Sequence, residues 1–498
     1  MPSPKIVGVD GQPIRQSQAY DGATNQARAM SWNAPSIGPN RALAAAAQPL
    51  RNRTRAGYRN SLLLRSGINK NVTNEVGKGF TLISVCKDDK FKAALNKLWK
   101  IVATQLDPWG DMNFGAIIDL AVRARRMSGE VFIRRLRRRS TANLAVPIQV
   151  EIIEADLCPI SLNEKLRNGN RIIQGIEFSG KLKVAVWLYK SHPDDGIDMA
   201  SLYNLERVPV KDIIHHYKQT RPGQVRAEPD AAVALLKDKT FGDYDDAELV
   251  RKKNRSAFTG FLYREQFEED DWDFNPATGK PLFDDSGQAS EQNSVDVGTM
   301  LRGVPGEKLQ LFEGDNTGQG YSDYVRWQAL QLSAGLDIPY ALLTGDWAGL
   351  NDRLVRAFLN EYRRGIGFDQ ENLSGFQVGY GIWRWAIGSA ITTGRLSAPG
   401  FANDPYQYLA LDIRFDSFKH LHPEQDINTR RKAVDSHISN VESEAADYGH
   451  DLEDNMIRNA KAKKRWQEIC EKEGVKNPGN LPGLFNEPEI LPDGDKNA

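Results

Sequence analysis

A chain of 498 residues is too long for one ordinary hydrophobic core, so its length predicts two to four domains. Hydrophobic residues at 40% and charged residues at 26% exclude a disordered chain, and a mean hydropathy of -0.52 without a long apolar run excludes a membrane-spanning helix. Lysine plus arginine equals aspartate plus glutamate at 65 each, so net charge gives no sign of nucleic-acid binding and leaves copies of the chain free to associate without self-repulsion.

The opening MPSPKIVGVDGQPIRQ has no apolar stretch behind a basic start, so no secretory signal is expected. Cys86, Cys158 and Cys470 are far apart and outside any CxxC pair, which fits a reducing cytoplasm and argues against a disulfide framework or a zinc site. Residues 1 to about 45 are rich in Gly, Pro, Ser, Asn and Ala and predict a mobile or loosely packed arm. From Arg51 the pattern turns helical: Tyr58, Leu62, Leu63, Ile68, Val72 and Val76 recur near helical spacing until Gly77 and Gly79 end the run. Two more helices follow, over Lys90–Gln105 and from Asp111 to Gly129. EVFIRRLRR, VPIQVEIIEADLCPI, GIEFSGKLKVAVWLYKSH and RVPVKDIIHHYK then read as strands, so the middle region is a sheet with helices packed against it.

Pro229 opens a further helix to Ala257, with Val233, Leu236, Tyr244, Ala247 and Val250 as its stripe. Its about 29 residues would span roughly 43 Å, and Gly242 permits a bend. A polar insert from about Thr259 to Gly320 holds the strand-like pieces FTGFLYRE, TMLRGV and EKLQLFE around the acidic EEDDWD. A helix over Ser322–Gly335, with Ser322 as its N-cap, leads into the punctuated loop LDIPYALLTGDWAGLND. The next helix begins near Asp352 with Leu354, Phe358, Tyr362 and Ile366 on one face, and continues past several glycines through YGIWRWAIG. YQYLALDIRF is strand-like, Pro423–Glu473 is helical, and PGNLPGLFNEPEILPDGDKNA reads as a disordered acidic tail.

No catalytic motif stands out. A nucleotide-hydrolysing motor needs a Gly-rich loop ending GK[ST], and Gly77-Lys78, Gly180-Lys181 and Gly279-Lys280 are followed by Gly, Leu and Pro. His215 and His216 are adjacent in a strand, so their side chains point to opposite faces and cannot chelate one ion. His420 and His422 can share a strand face, where packing or hydrogen bonding is the plainer role. The acidic pairs Asp245-Asp246, Asp270-Asp271 and Asp284-Asp285 read as solvated surface. Charge is nevertheless segregated: Arg123 to Arg139 holds eight arginines and one acid, and Glu265 to Asp273 holds six acids and no base. The arginine run has two readings, phosphate contact with nucleic acid or a basic face that is exposed or pairs with a neighbouring subunit. No cofactor and no metal are expected.

Four stretches in chain order resemble the lambda family of phage portal proteins: LRNRTRAGYRNSLLLRSGINKNVTNEVGKGF; DPWGDMNFGAIIDLAVRARRMSGEVFIRRLRR with VPIQVEIIEADLC; GIEFSGKLKVAVWLYKSHPDD through RPGQVRAEPDAAVALLKDK; and GLDIPYALLTGDWAGLNDRLVRAFLNEYRR. RPGQVRAEP and IPYALLTGD carry most of that likeness, which covers most of residues 50 to 370. The resemblance implies an α+β portal fold, assembled as a homo-oligomeric ring, normally a dodecamer, at one capsid vertex. Through its channel a separate terminase ATPase packages double-stranded DNA that later leaves through the tail, so the missing nucleotide motif is expected. The implied regions are an arm over 1–50, a wing over 51–225, a first stem helix over 226–258 and a clip over 259–320. A second stem helix over 321–342 and a tunnel loop over 343–352 follow. The long helix and return to the wing take 353–418, crown helices 419–475 and the tail 476–498.

The tunnel loop offers Asp346, Trp347 and Asn351, with Arg353 and Arg356 just beyond as candidates for a sparse basic ring; pairing with Glu361 or a neighbour is the alternative for the two arginines. Glu268, Glu269, Asp270 and Asp271 in the clip are candidates for docking the terminase large subunit or a head-completion or tail connector protein. Major capsid and scaffolding proteins are the other implied partners, procapsid nucleation an implied role, and the virion the implied location after assembly in the host cytoplasm. A head-tail adaptor or minor capsid protein without a channel is the competing class, and a nuclease built on scattered carboxylates is the enzymatic one.

Overall fold

In a computed structural model, which describes residues 34–139, 141–194, 204–257, 261–264, 307–310, 318–416, 418 and 422–474, helices and sheets are mixed along the chain. α1 (Pro39–Asn60) has proline in its first turn, where a missing N–H costs little. It starts ahead of the expected Arg51, inside the stretch read as an arm, and Leu43 and Ala47 are already buried. The alanine-rich segment packs through small side chains, which leave little apolar periodicity to read. Ser61 ends α1 and caps α2 (Leu62–Val76), its Oγ accepting from the Leu64 N–H at 3.2 Å.

β1 (Thr81–Ser84) pairs antiparallel with the strand Leu411–Arg414 from the far end of the sequence. In α3 (Asp89–Val102), Phe91, Leu95, Trp99 and Val102 are buried at helical spacing beneath an Asp88 cap. α4 (Phe114–Ser128) ends at Gly129, φ 85°, where a Cβ would lie 2.4 Å from the Ala227 carbonyl oxygen; only glycine fits that approach.

β2 (Glu130–Arg137) pairs with β3 (Ile148–Glu154) on one side. A meander follows: β4 (Glu164–Lys165), β5 (Arg171–Ile173), β6 (Ile176–Ser179), β7 (Leu182–Tyr189) and β8 (Leu205–Pro209). β9 (Ile213–Tyr217) then returns to the free side of β2. Phe132, Ile153, Ile176, Val186 and Leu188 form a small core shared by the two sheets, while the main core gathers α2, α3, α4 and the helical segment from Tyr362 to Ala390 around Trp99, Ile118 and Trp383.

A 3₁₀ turn at Asp230–Val233 precedes α5 (Leu235–Ala257). β10 (Phe261–Arg264) and β11 (Glu307–Gln310), both legible as strand-like pieces of the insert, pair antiparallel. α6 (Gly318–Gly335) begins before Ser322, so that serine does not cap it. α5 and α6 run antiparallel: Tyr244 lies 4.5 Å from Tyr324 ring to ring, and a Cβ on Gly335 would sit 3.3 Å from that of Ala234. Of the apolar stripe expected here, Val233 in the turn before α5 and Leu236 and Val250 on it face outward, 84%, 74% and 54% exposed, while Tyr244 packs on α6.

α7 (Tyr340–Thr344) is a short helix inside the segment read as a loop. α8 (Asp352–Asp369) passes without a break into a π-helix, Gln370–Gly379, and then α9 (Tyr380–Thr392). Tyr362 and Ile366 are buried as their spacing predicts, but Leu354 and Phe358, toward the loop, are half exposed. α10 (Pro405–Leu409), β12 (Leu411–Arg414), α11 (Pro423–Asp435), α12 (Val441–Asp447) and α13 (Leu452–Lys472) complete the chain.

Two buried ion networks tie these elements together. In the first, the Glu75 carboxylate accepts from Arg125 at 2.6 Å, from Arg126 Nε at 2.9 Å and from the Ser374 hydroxyl. Arg126 also reaches Asp230 at 2.6 Å and Asp369 at 3.1 Å, and Lys218 reaches Asp369 at 2.9 Å. In the second, Arg226 donates from Nε to Glu130 at 2.7 Å; Arg51 joins the same carboxylate at 3.1 Å and His215 at 2.8 Å. Burial alone would raise the pKa of Glu75 and Glu130, but the arginines beside them outweigh it and hold each at about 2. Burial pushes His215 down to about 4 and His216 to about 3, so both are neutral in the fold.

Removing one partner strands buried charge, so Glu75→Gln should lower unfolding free energy by about 3–5 kcal/mol, read as a shifted denaturant midpoint. For these two histidines and two carboxylates the pH dependence has one sign. Above about 6.5 the buried histidines cost nothing; below it the unfolded chain binds protons the fold refuses, and stability falls until the folded values near 4 and 3. The carboxylates add a second loss as pH drops from 4.5 towards 2. Thermal melts should therefore fall steadily from neutrality into acid, and His216→Gln should flatten the upper part of that fall; above about pH 9 burial of the Cys158 thiol, pushed up to about 11, adds a separate loss.

Candidate functional site

The loop between α7 and α8 is built from its own polar groups. Gly345, φ 79°, caps α7, and the Asp346 N–H donates to the Thr344 hydroxyl at 3.2 Å. The Asp346 carboxylate accepts from the Ala348 N–H at 3.0 Å and from the Tyr340 hydroxyl at 3.2 Å. Leu350 N–H donates to the Trp347 carbonyl at 3.2 Å, and Asn351 caps α8 by accepting from the Leu354 N–H at 2.9 Å. Leu343 anchors the base: it is buried against α2, where the Ser66 hydroxyl donates to its carbonyl at 2.8 Å.

Of the residues expected to face a channel, Trp347 and Arg353 project from this loop and the start of α8 with exposed side chains. Asp346 and Asn351 hold the loop's shape. Arg356 turns to Asp352, one helical turn away, and not to Glu361, which pairs with Arg364 at 3.6 Å. The Arg356 hydrogen bond is the main cause holding the exposed Asp352 carboxyl below the usual range, and His422 adds a 3.4 Å contact. His420, the clip candidates Glu268, Glu269, Asp270 and Asp271, TMLRGV and the acidic tail lie outside the described residues.

The arginine run divides: Arg137, Arg138 and Arg139 at its end are exposed, as one of its two readings has it, and the rest pairs within the chain. Arg125 and Arg126 are buried on Glu75; Arg134 pairs with Glu206, and Arg135 and Arg137 share Asp212. The partners are acids of the same chain, far away in sequence. A signal was available for the buried pair. Arg125 falls three and four residues after Val122 and Ala121, on the stripe that α4 buries. The acids that meet these arginines are single residues scattered through the sequence, and no spacing announces them. His215 and His216 do point to opposite sides: His215 stacks between Phe132 and Tyr217, and His216 Nδ1 meets the Gln377 side chain at 3.0 Å. Among the described residues, Glu154, Asp156 and His192 bring possible ligand atoms within 4.8 Å of one another, but the Asp156 carboxylate already receives Arg51 and Arg55.

The family profile described as "Phage portal protein, lambda family" matches residues 25–370. The chain belongs to that family. The match runs through both ion networks, the α5–α6 pair and the loop before α8. A curated relative, "Probable portal protein" of Halomonas phage phiHAP-1, is 24% identical over 252 residues, 50% of this chain; the chain spans about half (47%) of that relative's length. Two solved structures are similar at 12% identity and a TM-score of 0.46: "Neck of native GTA particle computed with C12 symmetry", covering 83% of this chain and 98% of that one, and "Virion of native gene transfer agent (GTA) particle", covering 84% and 97%. RPGQVRAEP, which carried much of the family likeness, contains Arg226, the buried partner of Glu130.

Replacing the Asn351 cap by alanine should cost about 1 kcal/mol and quicken proteolysis within the loop. Trp347→Ala should cost about 1 kcal/mol, read as a shifted denaturant midpoint, because the side chain is 44% exposed and gives up only part of the burial of a core aromatic.

Proposed function

We propose that this chain is one subunit of a portal ring, threaded by DNA on its way into and out of a capsid. The observation that carries the reading is the family match over residues 25–370, which embraces the antiparallel pair α5 and α6 and the shaped loop that follows. The outward apolar stripe of α5 supports it: Val233, Leu236, Leu249 and Val250 are more than half exposed in the single chain, an arrangement suited to burial against a neighbouring copy. In this reading α5 and α6 are stem helices, the segment between them is the clip, the sheets with α1–α4 are the wing, and α11–α13 belong to the crown.

The loop at Gly345–Asn351 is the tunnel loop, presenting Trp347 and Arg353 to DNA. A flat ring and one cation per subunit centre a duplex without gripping it, whereas a dense basic lining would hold it still. The ring, by family precedent twelve subunits, takes its ATP-driven work from a terminase. Terminase and the head-completion or tail connector protein dock on the clip through Glu268, Glu269, Asp270 and Asp271, and the crown meets the capsid and scaffold side during assembly.

Electron microscopy of the purified full chain tests this directly. Closed rings with an open axial hole are expected; monomers or solid oligomers at every concentration would overturn the channel and favour an adaptor.

A further inference from the structure

α13 carries Arg458, Lys461, Lys464 and Arg465, all exposed. At 3.6 residues per turn these four fall within an arc of about 120°, over a rise of about 10 Å. Leu452, Asn455, Ala462, Trp466 and Cys470 lie on the opposite, less exposed side. Of the helix's first-turn acids, Glu453 turns to Lys92 at 3.6 Å, and Asp454 lies 3.7 Å from both Lys100 and Arg458. That Arg458 contact leaves both side chains largely in solvent, and Glu468 lies within the same arc, one turn beyond Lys464. Among the described residues no carboxylate pairs with Lys461, Lys464 or Arg465. This contrasts with Arg123–Arg137, where the chain's own acids take up the charge.

We infer that this face of α13 is a sequence-independent contact for the phosphate backbone of double-stranded DNA. A duplex carries one charge per about 1.7 Å of axis with both strands counted, so a patch about 10 Å long lies along a segment of roughly six phosphates, of which those on the near side are within reach of long cationic side chains. A protein partner would need an apolar centre that can be dried, and the one apolar side chain within this arc, Ile457, is a single aliphatic group among four cations. The inference deepens the portal reading, adding a DNA contact outside the loop, but the binding itself does not require a ring.

The test is anisotropy of a labelled duplex of about 30 base pairs with the full chain, titrated between about 50 and 200 mM salt, for the parent and for R458Q/K461Q/K464Q/R465Q. Binding by the variant should be at least about tenfold weaker at low salt, with a salt slope shallower by about 0.9 for each phosphate no longer neutralised. Unchanged affinity and slope would overturn the inference, as would parent binding to polyglutamate that equals its binding to DNA. The four side chains are exposed, so matching thermal melts should show that the variant is folded. Imaging the same samples separates the two readings: rings with an unaltered slope sink only the α13 contact, and an altered slope without rings sinks only the portal.

Discussion

Glu75 sits at the end of α2 with its side chain fully enclosed, and it is tolerable there only because Arg125 and Arg126 of α4 converge on it. The same arginines reach Asp369 at the end of α8, and the π-helix that follows places Ser374 and Gln370 on the Glu75 carboxylate and carbonyl. One buried carboxylate thereby holds elements from three distant parts of the sequence in a single register. A π-helix widens the turn, and here it brings Ser374, Gln370 and Gln377 onto the body at once.

The second network does the same for the sheets. Arg226 is fully buried, bonded to Glu130 and to the carbonyls of Ala155, Cys158 and Gln174, so it closes the ends of several loops around β2. Gly129 lets the Ala227 backbone come close enough for that arrangement. From this braced body α5 and α6 extend with apolar side chains outward, and α7 carries a loop whose shape comes from Asp346, Thr344 and Asn351. Rigidity lies in the body, and the surfaces available for association lie on what projects from it.

Charge balance conceals this division. The Arg123–Arg139 run looks like a polyanion site when counted, yet most of it is internal bracing, while the shorter run on α13 remains in solvent. Desolvation decides which is which: a buried arginine must find a carboxylate, and an exposed one need not.

Much was legible from local rules. The ends of α2 and α4 at Gly77 and Gly129, the strands of the middle region, the strand pair at the edges of the insert and the opposed histidines all follow from periodicity and backbone preference. Local rules placed the start of α1 too late, because small buried residues leave a weak pattern, and gave Ser322 a cap position that α6 overruns. The local hydrogen bonds that Asp346, Asn351 and Arg356 make in and beside the loop carry no signature in the sequence. The elements, the family likeness and the zero net charge could be read from the residues in order, since each is set by neighbours in the chain. Which arginines are free, which stripes face outward and what Glu75 joins emerged with the folded chain alone, because they depend on residues brought together from hundreds of positions apart.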